Sequence, residues 1–151
     1  MIYEFCAENV TLLEKAMQAE ARRIELCDNL AVGGTTPTYG VTKAAVELAS
    51  NYDTTIMTMI RPRGGDFVYN DLEISIMLED IRLTAQAGSQ GVVFGALTAD
   101  KKLDKANLEK LIAASKGMEI VFHMAFDDLS DQDQLEAIDW LSQAGVTRIL
   151  T

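Results

Sequence analysis

The sequence predicts an α/β fold: a TIM-type (β/α)8 barrel in incomplete form, with about six strands and five helices of a parallel barrel. Three observations carry this. Short β-branched runs alternate with longer segments of helical period along the whole chain. A helix-end signature feeding a strand recurs in every second unit, at Gln18-Ala19, Gln86-Ala87-Gly88 and Gln143-Ala144-Gly145. The apolar run Ile56 to Ile60 ends abruptly in Arg61-Pro62-Arg63-Gly64-Gly65-Asp66, as a buried strand does when it delivers charge to a ligand-facing loop. A doubly wound sheet is the alternative, but no Gly-x-Gly-x-x-Gly follows the first strand.

Taken in order, Ile2 to Ala7 reads as a strand and Asn9 to Ala19 as a helix, with Asn9 as N-cap and Val10, Leu13, Ala16 and Met17 as its apolar stripe. Arg22 to Leu26 is the second strand. The Gly/Thr/Pro-rich loop Val32 to Thr38 leads into a helix over Val41 to Ala49, with Val41, Ala44, Ala45 and Leu48 on one face. After the third strand, Asp71 to Gln86 is helical, with Leu72, Ile76, Leu78, Ile81 and Leu83 as its apolar residues. Gly91 to Phe94 is a strand, Asp104 to Ser115 a helix capped by its aspartate, and Met118 to His123 a strand. Asp131 to Ala144 is a helix and Val146 to Leu150 the last strand. A complete barrel takes about 200 residues or more. These 151 residues are therefore expected to be one barrel domain, 1–151, truncated toward the C-terminus.

Composition narrows the function classes. At 48% hydrophobic and 24% charged the chain falls among soluble globular proteins, and no apolar run reaches the roughly 18 residues a spanning helix needs. The start, Met1-Ile2-Tyr3-Glu4, lacks the basic flank of a signal peptide, so a cytoplasmic location is expected. A net charge of −10 argues against nucleic acid as a partner, because phosphate backbones select basic faces. Against that background the positive charge of Arg61 and Arg63 stands out. With Gly64, Gly65 and Asp66 they form a candidate pocket for a carboxylate or phosphate. The alternative is a structural turn in which Asp66 pairs with an arginine.

Two strands share a pattern, Glu4-Phe5-Cys6 and Glu25-Leu26-Cys27, in which each Glu lies on the same strand face as its Cys. In matched parallel register Cys6 and Cys27 become neighbours. Two thiolates suit a soft ion such as Cu(I), whereas a closed zinc site takes four ligands, and the chain has no third cysteine and a single histidine. The alternative is that both thiols simply pack. Met57 and Met59, on the face leading to Arg61, are read as core filler. Glu4 and Glu25 are candidate acid/base carboxylates with Arg61 as counter-charge. His123, at the end of the fifth strand, is a candidate proton shuttle oriented by Asp127. An unpaired sheet edge could also recruit a second copy of the chain.

The blocks Arg61-Pro62-Arg63-Gly64-Gly65-Asp66-Phe67, Glu25-Leu26-Cys27, Gly33-Gly34-Thr35-Thr36-Pro37, Phe122-His123 with Ala125-Phe126-Asp127, and Arg148-Ile149-Leu150-Thr151 closely resemble the CutC copper-homeostasis family. The resemblance runs the whole chain in order. It implies a cytoplasmic, TIM-barrel-like protein of copper handling, with Cys6 and Cys27 at the family's proposed Cu(I)-binding pair. Where the family has an arginine after the histidine, this chain has Met124. Two functions follow as expectations: a copper homeostasis protein binding Cu(I) through the cysteine pair, or a barrel enzyme of lyase, isomerase or hydrolase type acting on a small phosphorylated or carboxylated metabolite.

Overall fold

Side-chain alternation along six parallel strands divides the apolar residues into an outer layer under the helices and an inner layer on the concave face. The computed structural model describes residues 1–151. Its elements are β1 (Glu4–Glu8), α1 (Leu13–Gln18), β2 (Arg23–Cys27), α2 (Tyr39–Ala49), β3 (Thr55–Met59), α3 (Asp71–Ala87), β4 (Gly91–Phe94), α4 (Lys105–Ala114), β5 (Glu119–Phe122), α5 (Asp131–Gln143) and β6 (Arg148–Ile149). All pairings are parallel, and the strand order is β1-β2-β3-β4-β5-β6. A doubly wound sheet would break that order at a switch point. The uninterrupted order, with the helix-packed residues on one face, is that of a (β/α) half-barrel.

Outward residues Ile24, Leu26 and Ile56 pack against Leu13, Met17 and Ala45 of the first two helices. Outward Val92, Phe94, Ile120 and Phe122 join Met77, Ile81, Leu108 and Leu141 in a larger cluster. The inward face carries a smaller cluster of Cys27, Met57, Met59, Val93 and Val121. Methionine therefore serves as inner-face filler, as the sequence reading had it.

Three local expectations are corrected. α1 begins at Leu13 rather than Asn9, because Asn9 (φ 55°) and Leu12 (φ 57°) are left-handed and cannot open a helix. The Asn9 N–H instead extends the ladder to the Cys27 carbonyl at 2.7 Å, and Val10 is exposed. In α3 the buried residues are Ile74, Met77, Ile81 and Thr84, while Leu72 and Ile76 face solvent. Ile74, Met77, Ile81 and Thr84 recur at helical spacing and form the buried stripe, on a helix whose start is fixed by the reciprocal capping box of Asn70 and Glu73. α2 starts at Tyr39, capped by the Thr38 hydroxyl, and buries Thr42, Ala45 and Ala49, with Val41 and Leu48 partly buried against the same cluster and Ala44 exposed.

Inner-face packing leaves β4 no room for a side chain at Gly91. A Cβ there would lie 2.0 Å from Met57 Cε and 2.8 Å from the Glu119 carbonyl oxygen. Gly91→Ala is expected to destabilise the chain by about 2 kcal/mol, because the backbone oxygen cannot move aside as a methionine can. Gly40, in α2, has open space at its Cβ position. Gly40→Ala is expected to stabilise by up to about 1 kcal/mol. Thermal unfolding of the two variants reads both signs, and equal midpoints would contradict this packing.

Candidate metal centre

Register brings three ligating side chains together at β1 and β2. Cys6 pairs with Glu25, and Glu8 pairs with Cys27, so the two cysteines sit diagonally rather than side by side as matched register would have placed them. Because Glu25 and Cys27 are two residues apart on one strand, all three side chains share the inward face. The Cys6 and Cys27 thiols both donate to Oε1 of Glu25, at 3.6 and 3.7 Å. The ligand atoms of the three residues lie within 4.8 Å of one another. Cys6 is exposed, while Glu25 and Cys27 are buried.

Electrostatics disfavours the charged forms of Glu25 and Cys27 in the absence of a cation. Burial raises the Glu25 carboxyl pKa, opposed by the hydrogen bond from Cys6 and reinforced by the charge of Glu4. The hydrogen bond with Cys6, then burial and the neighbouring Glu25, push the Cys27 thiol far above its ordinary value. A bound cation opposes both upward shifts, since it stabilises thiolate and carboxylate together. Gly34 covers the site: its φ is +87°, and a Cβ there would stand 3.0 Å from Cys27 Sγ. Met59 Cε lies 3.6 Å from the same point. Two thiols and one carboxylate in a cradle that any larger residue at position 34 would fill are a fitting donor set for a soft cation.

Arg61 is almost fully buried and is not the counter-charge of Glu4 or Glu25. Its Nη1 donates to the Val32 and Gly34 carbonyls at 2.7 and 2.9 Å, and its Nη2 to the Gly65 carbonyl at 2.8 Å. Glu4 instead meets Arg23 at 3.5 Å at the other end of the strands. Arg63 pairs with Glu73 and, at 3.0 Å, with Asp66, and donates to the Gly64, Asp66 and Val68 carbonyls. Gly64 and Gly65 thus present carbonyls to the two arginines rather than amides to a ligand. His123 is completely buried, and its pKa falls to about 3 through burial and the nearby Arg61 charge. Its Nδ1 accepts the Ala125 N–H at 3.2 Å, so it is oriented by backbone and not by Asp127. Asp127 is exposed and accepts a hydrogen bond from the Thr151 hydroxyl.

Of the residues singled out in the sequence, then, Cys6, Cys27 and Glu25 converge, and Arg61 and His123 are buried at the strand ends. Arg63, Gly64, Gly65 and Asp66 form a closed loop network, and Glu4 and Asp127 lie outside both groups. Glu25 as a member of the metal cluster was not read from sequence, although its Glu-x-Cys spacing placed it on the right face. Tyr69, buried beside the arginines, gave no spacing signal.

The CutC family model matches residues 1–151. The CutC family protein of Enterococcus faecalis is 54% identical over 151 residues, spanning all of this chain and 72% of that protein. That of Glaesserella parasuis is 46% identical, with this chain spanning 60% of its length. The fold matches a Streptococcus agalactiae protein assigned as the copper homeostasis protein CutC at a TM-score of 0.95 and 49% identity, covering 99% of this chain and 71% of that one. A Burkholderia cenocepacia protein assigned as a phosphonomutase matches at a TM-score of 0.72 and 17% identity, over 99% of this chain and 62% of that one, which is likeness of fold alone. With the half-barrel and the matched profile together, the chain belongs to the CutC family.

Proposed function

We propose that this chain binds Cu(I) as cargo through the Cys6 and Cys27 thiolates, with Glu25 between them, as part of cytoplasmic copper homeostasis. The observation that carries the reading is the convergence of two thiols and a carboxylate within 4.8 Å. Soft thiolates favour Cu(I), which is content with two sulfur ligands. Zinc would want further nitrogen or sulfur donors, and the lone His123 has Nδ1 engaged by backbone. Exposed Cys6 offers the ion a first contact, and buried Cys27 the second. Both cysteines are free thiols, as a reducing compartment keeps them. No helix is long and apolar enough to cross a membrane. The name of the Streptococcus agalactiae relative points the same way.

Loading requires both thiol protons to leave, and Glu25 is placed to accept one on its way to solvent. Affinity should therefore rise with pH, about tenfold per pH unit for each proton released. In an anaerobic competition titration against a Cu(I) chelator, Cys6→Ser/Cys27→Ser is expected to weaken binding by more than about a hundredfold. Unchanged affinity in that variant, or binding flat in pH, would defeat the reading.

Glu25 also yields a stability test on metal-free protein. Its folded-state pKa is raised, so the folded chain binds more protons than the unfolded one, and stability falls as pH rises through the ordinary carboxylate range. Glu25→Gln is accordingly expected to raise the unfolding midpoint at neutral pH and to leave it unchanged in acid, where the native carboxyl is already protonated. A loss of stability at neutral pH would mean that the carboxylate is satisfied without a cation.

A further inference from the structure

Three buried polar groups at the strand-end mouth have an atom with no hydrogen-bond partner: Nε of Arg61, Nε2 of His123 and the hydroxyl of Tyr69. Their residues are 2%, 0% and 7% exposed, so solvent does not satisfy them. They share one locality. The Phe67 ring centroid lies 4.9 Å from Arg61 Cζ and 4.9 Å from the His123 ring centroid. The charge of Arg61 acts on His123, and its guanidinium lies beside the Tyr69 hydroxyl, close enough to favour the ionised phenol by charge and hydrogen bonding.

The chemistry of the three atoms is one-sided. Arginine Nε–H only donates. Because His123 Nδ1 accepts from Ala125, the neutral ring carries its proton on Nε2, which is therefore a donor as well. The tyrosine hydroxyl can donate as a third. Arg61 also lacks a counter-charge: it takes part in none of the ion pairs of the chain, and its Nη atoms meet three neutral carbonyls. A buried permanent cation beside orphan donors is costly, and what it lacks is a negatively charged acceptor.

We propose that Arg61, His123 and Tyr69 form a binding site for one oxyanion group, carboxylate or phosphate, of a small molecule. It lies where β3 and β5 end, the end of the strands at which barrels bind ligands. It is separate from the cysteine cluster in charge and in donors. Arg63 is not part of it, since Glu73 and Asp66 already neutralise that side chain. The Val32–Gly34 segment closes over Arg61, with the Val32 and Gly34 carbonyls occupying its Nη1. An anionic oxygen displaces them because charge-assisted hydrogen bonds are about twice as strong as those to neutral acceptors. Gly33 and Gly34, at φ +86° and +87°, give that segment backbone conformations closed to most residues.

His123 is the only histidine, so its imidazole is an unambiguous reporter. The 15N-labelled chain is titrated with inorganic phosphate and, separately, with malonate, each against chloride at matched ionic strength, while the Nε2–H resonance is followed. A saturable downfield shift with slowed proton exchange is expected. Phosphate alone, malonate alone or both acting identifies the group as phosphoryl, carboxylate or a shared oxyanion subsite. Tyr69→Phe, which removes only the hydroxyl, should weaken that response about tenfold. Arg61→Gln should abolish it, and if that variant does not fold, Tyr69→Phe carries the test. No saturable shift with either anion, a shift reproduced by chloride, or an undiminished response in Tyr69→Phe overturns the proposal. Cu(I) affinity is not read in this experiment, so its failure leaves the copper reading to be judged separately.

Discussion

The register between β1 and β2 decides what the concave face can do. Pairing Cys6 with Glu25, and Glu8 with Cys27, sets two sulfurs around one carboxylate oxygen. A one-residue slip would turn Cys6 toward the helices and put Phe5 and Ala7 inside, because side chains alternate strictly across a sheet. The outer core prevents that slip, since Ala7, Ile24, Leu26 and Ile56 are all buried against α1 and α2. The energy that holds the thiols in place is thus hydrophobic and lies on the far side of the sheet from the chemistry.

Arg61 links that cluster to the strand-end loops. Its guanidinium draws the Val32, Gly34 and Gly65 carbonyls together, and its backbone and Thr36 exchange further hydrogen bonds of 2.9 Å. Gly34, held this way, is the residue that closes over Cys27. One side chain thereby fixes the loop after β2, the loop after β3 and the roof of the cysteine site. Such a clip relies on a planar fork with several donors, which lysine does not offer. Whatever moves the Val32–Gly34 segment would also alter the covering of Cys27, so an anion at Arg61 and a metal at the thiols would be coupled through the same few residues.

Much of the architecture was legible because alternation and helical period are local signals. β4 was read at its observed bounds, the Asp104 cap was correct, and the parallel barrel order followed from the repeating units. What failed depended on geometry that no short pattern encodes. The left-handed Asn9 and Leu12 delay α1, and α3 buries the stripe Ile74, Met77, Ile81 and Thr84 instead of the face expected from Leu72 and Ile76. At the site, Glu-x-Cys spacing placed Glu25 and Cys27 on one face, but the two-residue offset from β1, which makes Glu25 the centre of the group, is a property of pairing. Arg61 and Arg63 look equivalent in Arg-Pro-Arg. Only the fold shows that one is neutralised by Glu73 and Asp66 while the other is buried without a counter-charge.

The most direct test of this account is the copper K-edge absorption spectrum of the Cu(I)-loaded chain, since it reads the donor atoms themselves. The account predicts a low-coordinate ion with sulfur from both cysteines, and one sulfur fewer in Cys27→Ser. A first shell of nitrogen and oxygen alone, or a sulfur count unaltered by Cys27→Ser, would contradict it and return the two thiols to the packing of the inner face.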